Sequence, residues 1–328
     1  APAPTRTDLG HFDTIIVGSG PAGLDAAAAA DGKVLLIDDH AEPGGQRFGA
    51  LIRLADAPTA PLDMFSFLGS ALDRIQTARH QADDRPGLTY LAGTRAIAGY
   101  GPDGFLLRRE GQLNTVRFGS LVWAAGALDT LGIFPGNDTP GLVGPRALYR
   151  LLVRDGLDVR GQQVLVIGSG FDFWLSAALL SARGARPTLV VTGEDGLDGI
   201  PPAVDLGWQL HTGLQLDSVG PRGPQALTAN FSPARGPSSS GTSRMEMEAS
   251  LAVACFRGKP AYDVPYQLGA DLTLLPAKGG FVLPSAELYR TATISCDLPG
   301  GRLLTAVGEA AGHLPGGDRT PAPEGEAS

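Results

Sequence analysis

DTIIVGSGPAGLDAAAAADGKVLLIDDHAEPGGQ, running from Asp13 to Gln46, alternates apolar runs with glycine turns in a way that points to one architecture. Thr14 to Val17 are an apolar strand, and the glycines that follow each have a separate task. Gly18 permits the tight turn, Gly20 lets the backbone approach a pyrophosphate, and Gly23 lets the next helix pack closely on the strand; Ser19, Pro21 and Ala22 fill the spaces between them. The first helical N–H groups, at the positive end of the helix dipole, then face the phosphates. Val34 to Ile37 form a second apolar strand, and Asp38 stands at its end, where a carboxylate accepts hydrogen bonds from ribose hydroxyls. A lone GxGxxG is a weak signal, but here the strand, the helix and the acid are all in place, and together they define a dinucleotide turn. The helix through Ala26 to Ala30 reads as about one turn shorter than usual.

The rest of the composition narrows the class. A chain of 328 residues with 43% apolar and 18% charged residues is sized for two globular domains. A net charge of −8 argues against a nucleic-acid partner. There is no apolar run of the roughly 18 residues that a membrane helix needs, and APAPTRTDLGH carries no export pattern. Cys255 and Cys296 are the two cysteines, too few for a disulfide framework or a four-cysteine zinc or iron–sulfur site, and no CxxC is present. They read as buried, inert side chains. The five histidines, His11, His40, His80, His211 and His313, show no ligand spacing, so no metal is expected.

Further along, Glu42-Pro43-Gly44-Gly45-Gln46 is a glycine-rich loop, and apolar residues recur at helical spacing from Pro61 to about Gln81. Leu88 to Leu91 is a short strand. Arg95 to Ala98, Phe105 to Arg109 and Asn114 to Phe118 form a three-stranded meander, followed by a buried strand from Ser120 to Gly126 whose small final residues let a backbone or ligand come near. A second strand-turn-helix repeats the first: Gln163 to Ile167, Gly168-Ser169-Gly170, then Phe171 to Ala182, with another strand at Thr188 to Val191. Here Phe173 stands in the third glycine position, where its ring opposes close helix packing. Val191-Thr192-Gly193 stands where a ribose-binding acid is expected, with Glu194 and Asp195 slightly late. NAD(P) binding is therefore not expected. Residues 213 to 248 alternate short strands and turns, 234 to 243 read as a loop, and Leu251 to Phe256 is again a buried strand.

GSGPAG at 18 to 23, EPGGQ at 42 to 46, LVWAAGA at 121 to 127 and FPGNDTPGLVGPRALYRLL at 134 to 152 give the chain a specific resemblance. It is similar to the two-dinucleotide-fold flavoproteins that include thioredoxin reductase and the pyridine-nucleotide-disulfide reductases. Within them it most resembles the FAD-bearing alpha-type subunits of hydrogen cyanide synthase, opine oxidases and dye-linked proline or hydroxyproline dehydrogenases. The resemblance implies an α/β fold of two Rossmann-like domains, the second inserted into the first, with a small antiparallel meander. The FAD-binding domain would comprise residues 1–135 and 276–328, and the inserted domain residues 136–275.

By the same resemblance, Gly18 to Gly23 would hold the FAD pyrophosphate and Asp38 the adenosine ribose, with Asp39 close by. Gly45, Gln46 and Arg47 would line the ribityl and flavin region, the backbone at Ala96 would face the adenine, and Ala125 and Gly126 would pass beside the cofactor. Pro265 to Ala270 would return the chain to the FAD domain. Leu303 to Gly312 is similar to the third FAD motif, with Gly308 followed by Glu309 in place of the family's aspartate. The helix after it is interrupted by Pro315-Gly316-Gly317, and PAPEGEAS forms a polar tail.

What this implies is an FAD-dependent alpha-type subunit of a hetero-oligomeric, dye-linked amine or amino-acid dehydrogenase or oxidase. Its partners would be an amino-acid-oxidase-like beta-type subunit and a small iron–sulfur subunit supplying cluster ligands from another chain. No catalytic side chain can be named, since flavin redox chemistry needs none. A self-contained NAD(P)H-dependent flavin reductase and a non-catalytic structural subunit are the alternatives. The expected location is the cytoplasm, with any contact to the inner membrane made through partners.

Overall fold

The computed structural model of the chain describes residues 6–57, 66–100, 104–192, 207–234, 243–275, 280–282, 293–298 and 302–307. The elements begin with β1 (Arg6–Val17), α1 (Pro21–Ala29), β2 (Val34–Ile37), α2 (Phe48–Ala55), α3 (Ser66–Asp83), β3 (Leu88–Leu91), β4 (Thr94–Tyr100), β5 (Gly104–Arg109), β6 (Gln112–Trp123) and β7 (Ala127–Leu128). Next come β8 (Leu142–Val143), α4 (Pro145–Val153), β9 (Gln163–Gly168), α5 (Phe171–Ala182), β10 (Arg186–Val191), β11 (Gln209–His211), β12 (Leu214–Pro221), β13 (Leu227–Pro233), β14 (Met245–Ala249) and β15 (Leu251–Cys255). The last are β16 (Lys259–Pro260), α6 (Asp263–Gln267), β17 (Thr273–Leu275), β18 (Gly280–Val282), β19 (Thr293–Leu298) and β20 (Arg302–Val307).

The chain divides into two compact units. One comprises Ala1–Gly45, Asp73–Leu128 and Gly258–Ser328; the other comprises Gln46–Leu72 and Asp129–Arg257. The first is built on a sheet ordered β19-β20-β6-β1-β2-β3, parallel from β20 to β3, with β4 and β5 continuing antiparallel from β6. Ile16, Val34 and Leu36 face Leu24 and Ala27 of α1 and Ala78 and Ala82 of α3, whereas Ile15, Leu35 and Ile37 face Phe105, Phe118 and Trp123. The strands are buried on both faces and therefore read as unbroken apolar runs. Ile15 and Leu35 are fully enclosed, and each contributes about 1.5–3 kcal/mol by burial.

Two elements differ from the sequence expectation. The first strand begins at Arg6 and not at Thr14, because its polar half pairs with β6 from Arg6↔Leu113 onward. The third meander strand and the strand expected from Ser120 to Gly126 are one continuous β6, which ends at Trp123. Gly119 reads as a break, yet it is the residue that lets β6 run on, since a side chain there would come within 2.9 Å of the Asp13 carbonyl oxygen.

The second unit has a five-stranded parallel sheet ordered β11-β10-β9-β15-β8. Its Leu165, Ile167, Val190, Ala252 and Ala254 meet the antiparallel meander β12-β13-β14. α5 packs against β9, β10 and β15 and is enclosed from Phe173 to Leu180, which is why it is apolar all round. Its observed span matches the expected Phe171 to Ala182. The loop expected at 234–243 lies outside the described residues from 235 to 242, as do residues 58–65 at the start of the helix expected from Pro61.

Candidate dinucleotide site

In the first unit β1 delivers the chain into the turn at its carboxyl end, between β2 and β6. The Gly18 N–H donates to the Ile37 carbonyl at 2.8 Å, and the Ala124 N–H donates to the Val17 carbonyl at 2.8 Å. Gly18 has φ +103°, and a side chain there would fall on the Ala124 carbonyl. One at Gly23 would fall on the Gly18 carbonyl oxygen, and one at Gly45 would come within 2.9 Å of the Gly20 Cα. The turn tolerates no side chain at these places, which leaves a backbone-lined cradle. α1 opens at N-cap Gly20 and Pro21, with no side-chain cap and no acid in its first turn. Its N-terminus thus offers backbone donors and the positive dipole end to an anion.

Asp38, 8% exposed, closes the cradle. Its Oδ2 accepts the Ser19 backbone N–H at 2.6 Å and the Ser19 hydroxyl at 2.8 Å. Its Oδ1 accepts the His40 N–H at 2.8 Å and pairs with His40 Nδ1 at 2.9 Å. Burial pushes this carboxyl up, but the hydrogen bonds from His40 and Ser19 outweigh it and hold Asp38 below its ordinary value. The same imidazole lies 3.0 Å from Asp39, which Arg95 approaches at 3.2 Å. Hydrogen bonding to Asp38 and then Asp39 raises His40 to about 10 against burial, and the His40 hydrogen bond brings Asp39 down to about 2. The two carboxylates therefore favour the imidazolium form of His40 at neutral pH. Asp39 faces a cleft of about 260 Å³ lined also by Arg95 and Arg108.

The structure gathers Gly18, Ser19, Gly20, Pro21, Ala22, Gly23, Asp38, Asp39 and Gly45 around this turn in the first unit, where the Gly44 N–H donates to the Ser19 carbonyl at 2.8 Å. Ala125 follows Ala124 past Gly18, and the Gly126 carbonyl accepts the Ala261 N–H. Ala96 lies on β4, opposite Leu107, two residues beyond Thr94, whose N–H donates to the Asp38 carbonyl. Gln46 and Arg47 belong to the second unit. Gly308 and Glu309 lie outside the described residues. Sequence reasoning passed over Tyr90, whose buried hydroxyl has no hydrogen-bond partner. Its parity with Asp38 along neighbouring strands was the available signal.

A dinucleotide fits this arrangement on three observations: a turn packed so closely that a side chain at Gly18, Gly23 or Gly45 would strike its backbone, an uncapped helix N-terminus, and an orphaned hydroxyl.

The second turn, Gly168-Ser169-Gly170, begins alike at its first glycine but differs at its N-cap, where Gly170 has φ +83° against −68° at Gly20, and in its side chains. A side chain at Gly168 would fall on the Cys255 carbonyl, much as one at Gly18 would fall on that of Ala124. However, the first turn of α5 carries Asp172. That carboxylate is gripped bidentately by Arg47, Nε to Oδ1 and Nη2 to Oδ2, both at 2.6 Å, and accepts the Tyr149 hydroxyl at 2.9 Å. Burial pushes the Asp172 carboxyl up, and the Arg47 guanidinium more than offsets it. Desolvation drives the Tyr149 hydroxyl and the Cys255 thiol well above their usual values, so neither ionises near neutrality. The Phe173 ring is wholly buried, edge-on to Trp174 at 4.9 Å. Thr192 ends β10 on a cleft of about 290 Å³ walled by Ile133, Phe134, Leu216 and Phe256. Glu194 and Asp195 lie outside the described residues.

The fold is that of the Rossmann-type FAD- and NAD-binding oxidoreductases. The chain aligns with L-proline dehydrogenase from P. horikoshii at a TM-score of 0.58 and 15% identity, covering 94% of this chain and 52% of that one. Thioredoxin reductase from T. acidophilum aligns at 0.60 and 15% identity, covering 92% and 90%. The HOCl-induced flavoprotein disulfide reductase RclA from Escherichia coli, in its Cu(II) complex, aligns at 0.61 and 14% identity, covering 93% and 67%. In sequence, the alpha subunit of sarcosine oxidase from Corynebacterium sp. (strain P-1) is 28% identical over 211 residues, 62% of this chain. The match spans 22% of the length of that relative. No family model matches the chain.

Proposed function

We propose that the first turn binds FAD and that the chain acts as the FAD-bearing, alpha-type part of an oligomeric oxidoreductase acting on an amino acid, imino acid or related amine. The observation that carries the reading is the uncapped N-terminus of α1 above a cradle closed to side chains at Gly18, Gly23 and Gly45. The backbone from Gly18 to Gly23 holds the diphosphate, Asp38 takes the adenosine ribose, and Ala125, Gly126 and Ala96 border the remainder. Bound flavin supplies hydride and electron transfer, and the chain's contribution is to bind and orient it. The amine class is supported by the relatives named sarcosine oxidase subunit alpha and L-proline dehydrogenase. The same subunit name supports a multi-chain assembly, and the partner in this proposal is an amino-acid-oxidase-like beta-type subunit. The two cysteines of these 328 residues are too few to hold an iron–sulfur cluster by themselves.

In this reading the second turn does not take NAD(P)H. Asp172, paired with Arg47, puts the chain's own carboxylate in the first turn of α5, where a phosphate would have to enter. Thr192 supplies no carboxylate for a ribose, and the cleft beside it is walled by apolar side chains.

Co-purification with its natural partners, followed by denaturation and a spectrum of the released small molecules, tests the proposal. FAD at close to one per chain supports it. A colourless preparation that also fails to take up added FAD removes it.

A further inference from the structure

Among the described residues two buried side-chain oxygens have no hydrogen-bond partner, Tyr90 Oη and Thr228 Oγ1. Thr228 lies in β13 of the second unit's meander, opposite Gly220 and Glu248. Tyr90 lies in β3, paired with Leu36. Side chains alternate along a strand, so Tyr90, Leu36 and Asp38 point to one face, the face that packs on α1 and α3. The groups whose fields reach the Tyr90 hydroxyl are Ser19, Asp38, Arg79 and Glu42. Desolvation raises its pKa, and the nearby Ser19 hydroxyl lowers it without making a bond of acceptable geometry.

Asp38 poses the complementary problem. An ionised carboxylate offers about four acceptor positions, and four donors already occupy those of Asp38: the Ser19 N–H, the Ser19 hydroxyl, the His40 N–H and the His40 ring. A ribose hydroxyl can bond to Asp38 only by displacing one of them. Both backbone N–H groups are fixed by the fold, and the imidazolium is tied to two carboxylates. The Ser19 hydroxyl is the one donor that a bond rotation releases.

We propose that Tyr90 is a positioning residue for the dinucleotide: when a ribose hydroxyl takes its place on Asp38 Oδ2, the Ser19 hydroxyl turns to Tyr90 Oη. The exchange leaves no polar group stranded. Asp38 keeps its acceptors filled, Ser19 keeps a partner, and the orphaned tyrosine hydroxyl gains one. The inference rests on the dinucleotide reading of this turn and adds to it a residue and a rearrangement.

The test measures binding of ADP, 2′-deoxy-ADP and 3′-deoxy-ADP to flavin-depleted protein by calorimetry. The wild-type chain prefers ADP to the weaker deoxy analogue by about tenfold, the value of one hydrogen bond to a charged group. In Tyr90→Phe, the Ser19 hydroxyl has no other acceptor and competes for Asp38, so the preference falls to about twofold. In a Ser19→Ala background, Tyr90→Phe has no effect on the preference. Ser19→Ala alone keeps the backbone N–H to Asp38 and retains at least the wild-type preference, a readout that stands even where the tyrosine variant fails to fold.

An undiminished preference in Tyr90→Phe, or a preference lost in Ser19→Ala, overturns the inference and leaves the dinucleotide reading intact. Equal binding of ADP and both analogues by the wild type overturns the ribose exchange alone. Absence of any ADP or FAD binding overturns both.

Discussion

The two glycine turns begin alike at their first glycine and differ in the N-cap backbone and in the side chains around the helix N-terminus. At the first, Gly18 and Gly23 are locked by carbonyl oxygens, and α1 begins with neither a cap nor an acid. At the second, Gly168 is locked in the same way, but Phe173 replaces the last glycine and Asp172 brings a carboxylate that Arg47 and Tyr149 hold in place. A parallel strand followed by a tight turn and a helix is therefore a folding solution first. Whether it serves as an anion site depends on the side chains around the helix end, since the N-termini of α1 and α5 both lack a side-chain cap.

The sharpest way to break the comparison is Gly23→Val. The added side chain collides with the Gly18 carbonyl, and FAD affinity should fall by at least about 100-fold, since the cradle and the donors move together. Equilibrium dialysis against FAD reads this, and near-native affinity would show that the cradle does not bind the cofactor. Asp172→Ala attacks the other turn. It leaves the Arg47 guanidinium, 15% exposed in the pair, without its carboxylate, and should cost about 3 kcal/mol in denaturant unfolding. A loss under about 0.5 kcal/mol would mean that the pair is a solvated contact.

Asp38→Asn has a smaller effect. It keeps the shape but trades an acceptor for a donor facing Ser19, and should weaken ADP binding by about tenfold in calorimetry. Equal affinity would remove the ribose role.

The smallest effect is a pH dependence. With His40 raised to about 10 from 6.5, its pairing contributes to stability in full below pH 6.5 and is lost as the pH climbs toward about 10. Asp39, lowered to about 2 from 3.8, contributes above pH 3.8 and loses it as the pH falls toward about 2. Replacing His40 by alanine should therefore lower the unfolding midpoint between those limits and have no effect near pH 10. Because both side chains are about half exposed, the shift should be small, and one equal at all pH values would contradict the pairing.

The strand-turn-helix units were legible because each glycine answers a local steric demand and each strand is buried on both faces; α5 emerges from the sequence with its observed ends. Elements set by distant neighbours were not. The polar residues from Arg6 to Asp13 form strand because β6 lies beside them, and Gly119 continues a strand because Asp13 comes close. At the site, the cradle residues were legible from spacing alone. The Arg47–Asp172 pair, 125 residues apart, leaves no local trace. The Tyr90 hydroxyl matters only because the fold buries it near a carboxylate already filled with donors.

The central claim is that the first turn is open to a dinucleotide and the second is closed by its own carboxylate. Calorimetric titration of the flavin-depleted protein with FAD and then with NADH tests it most directly. The account predicts saturation by one FAD per chain, abolished in Gly23→Val, and no saturable heat from NADH. Saturable NADH binding that Asp172→Ala leaves unchanged, or failure to take up FAD, would contradict it.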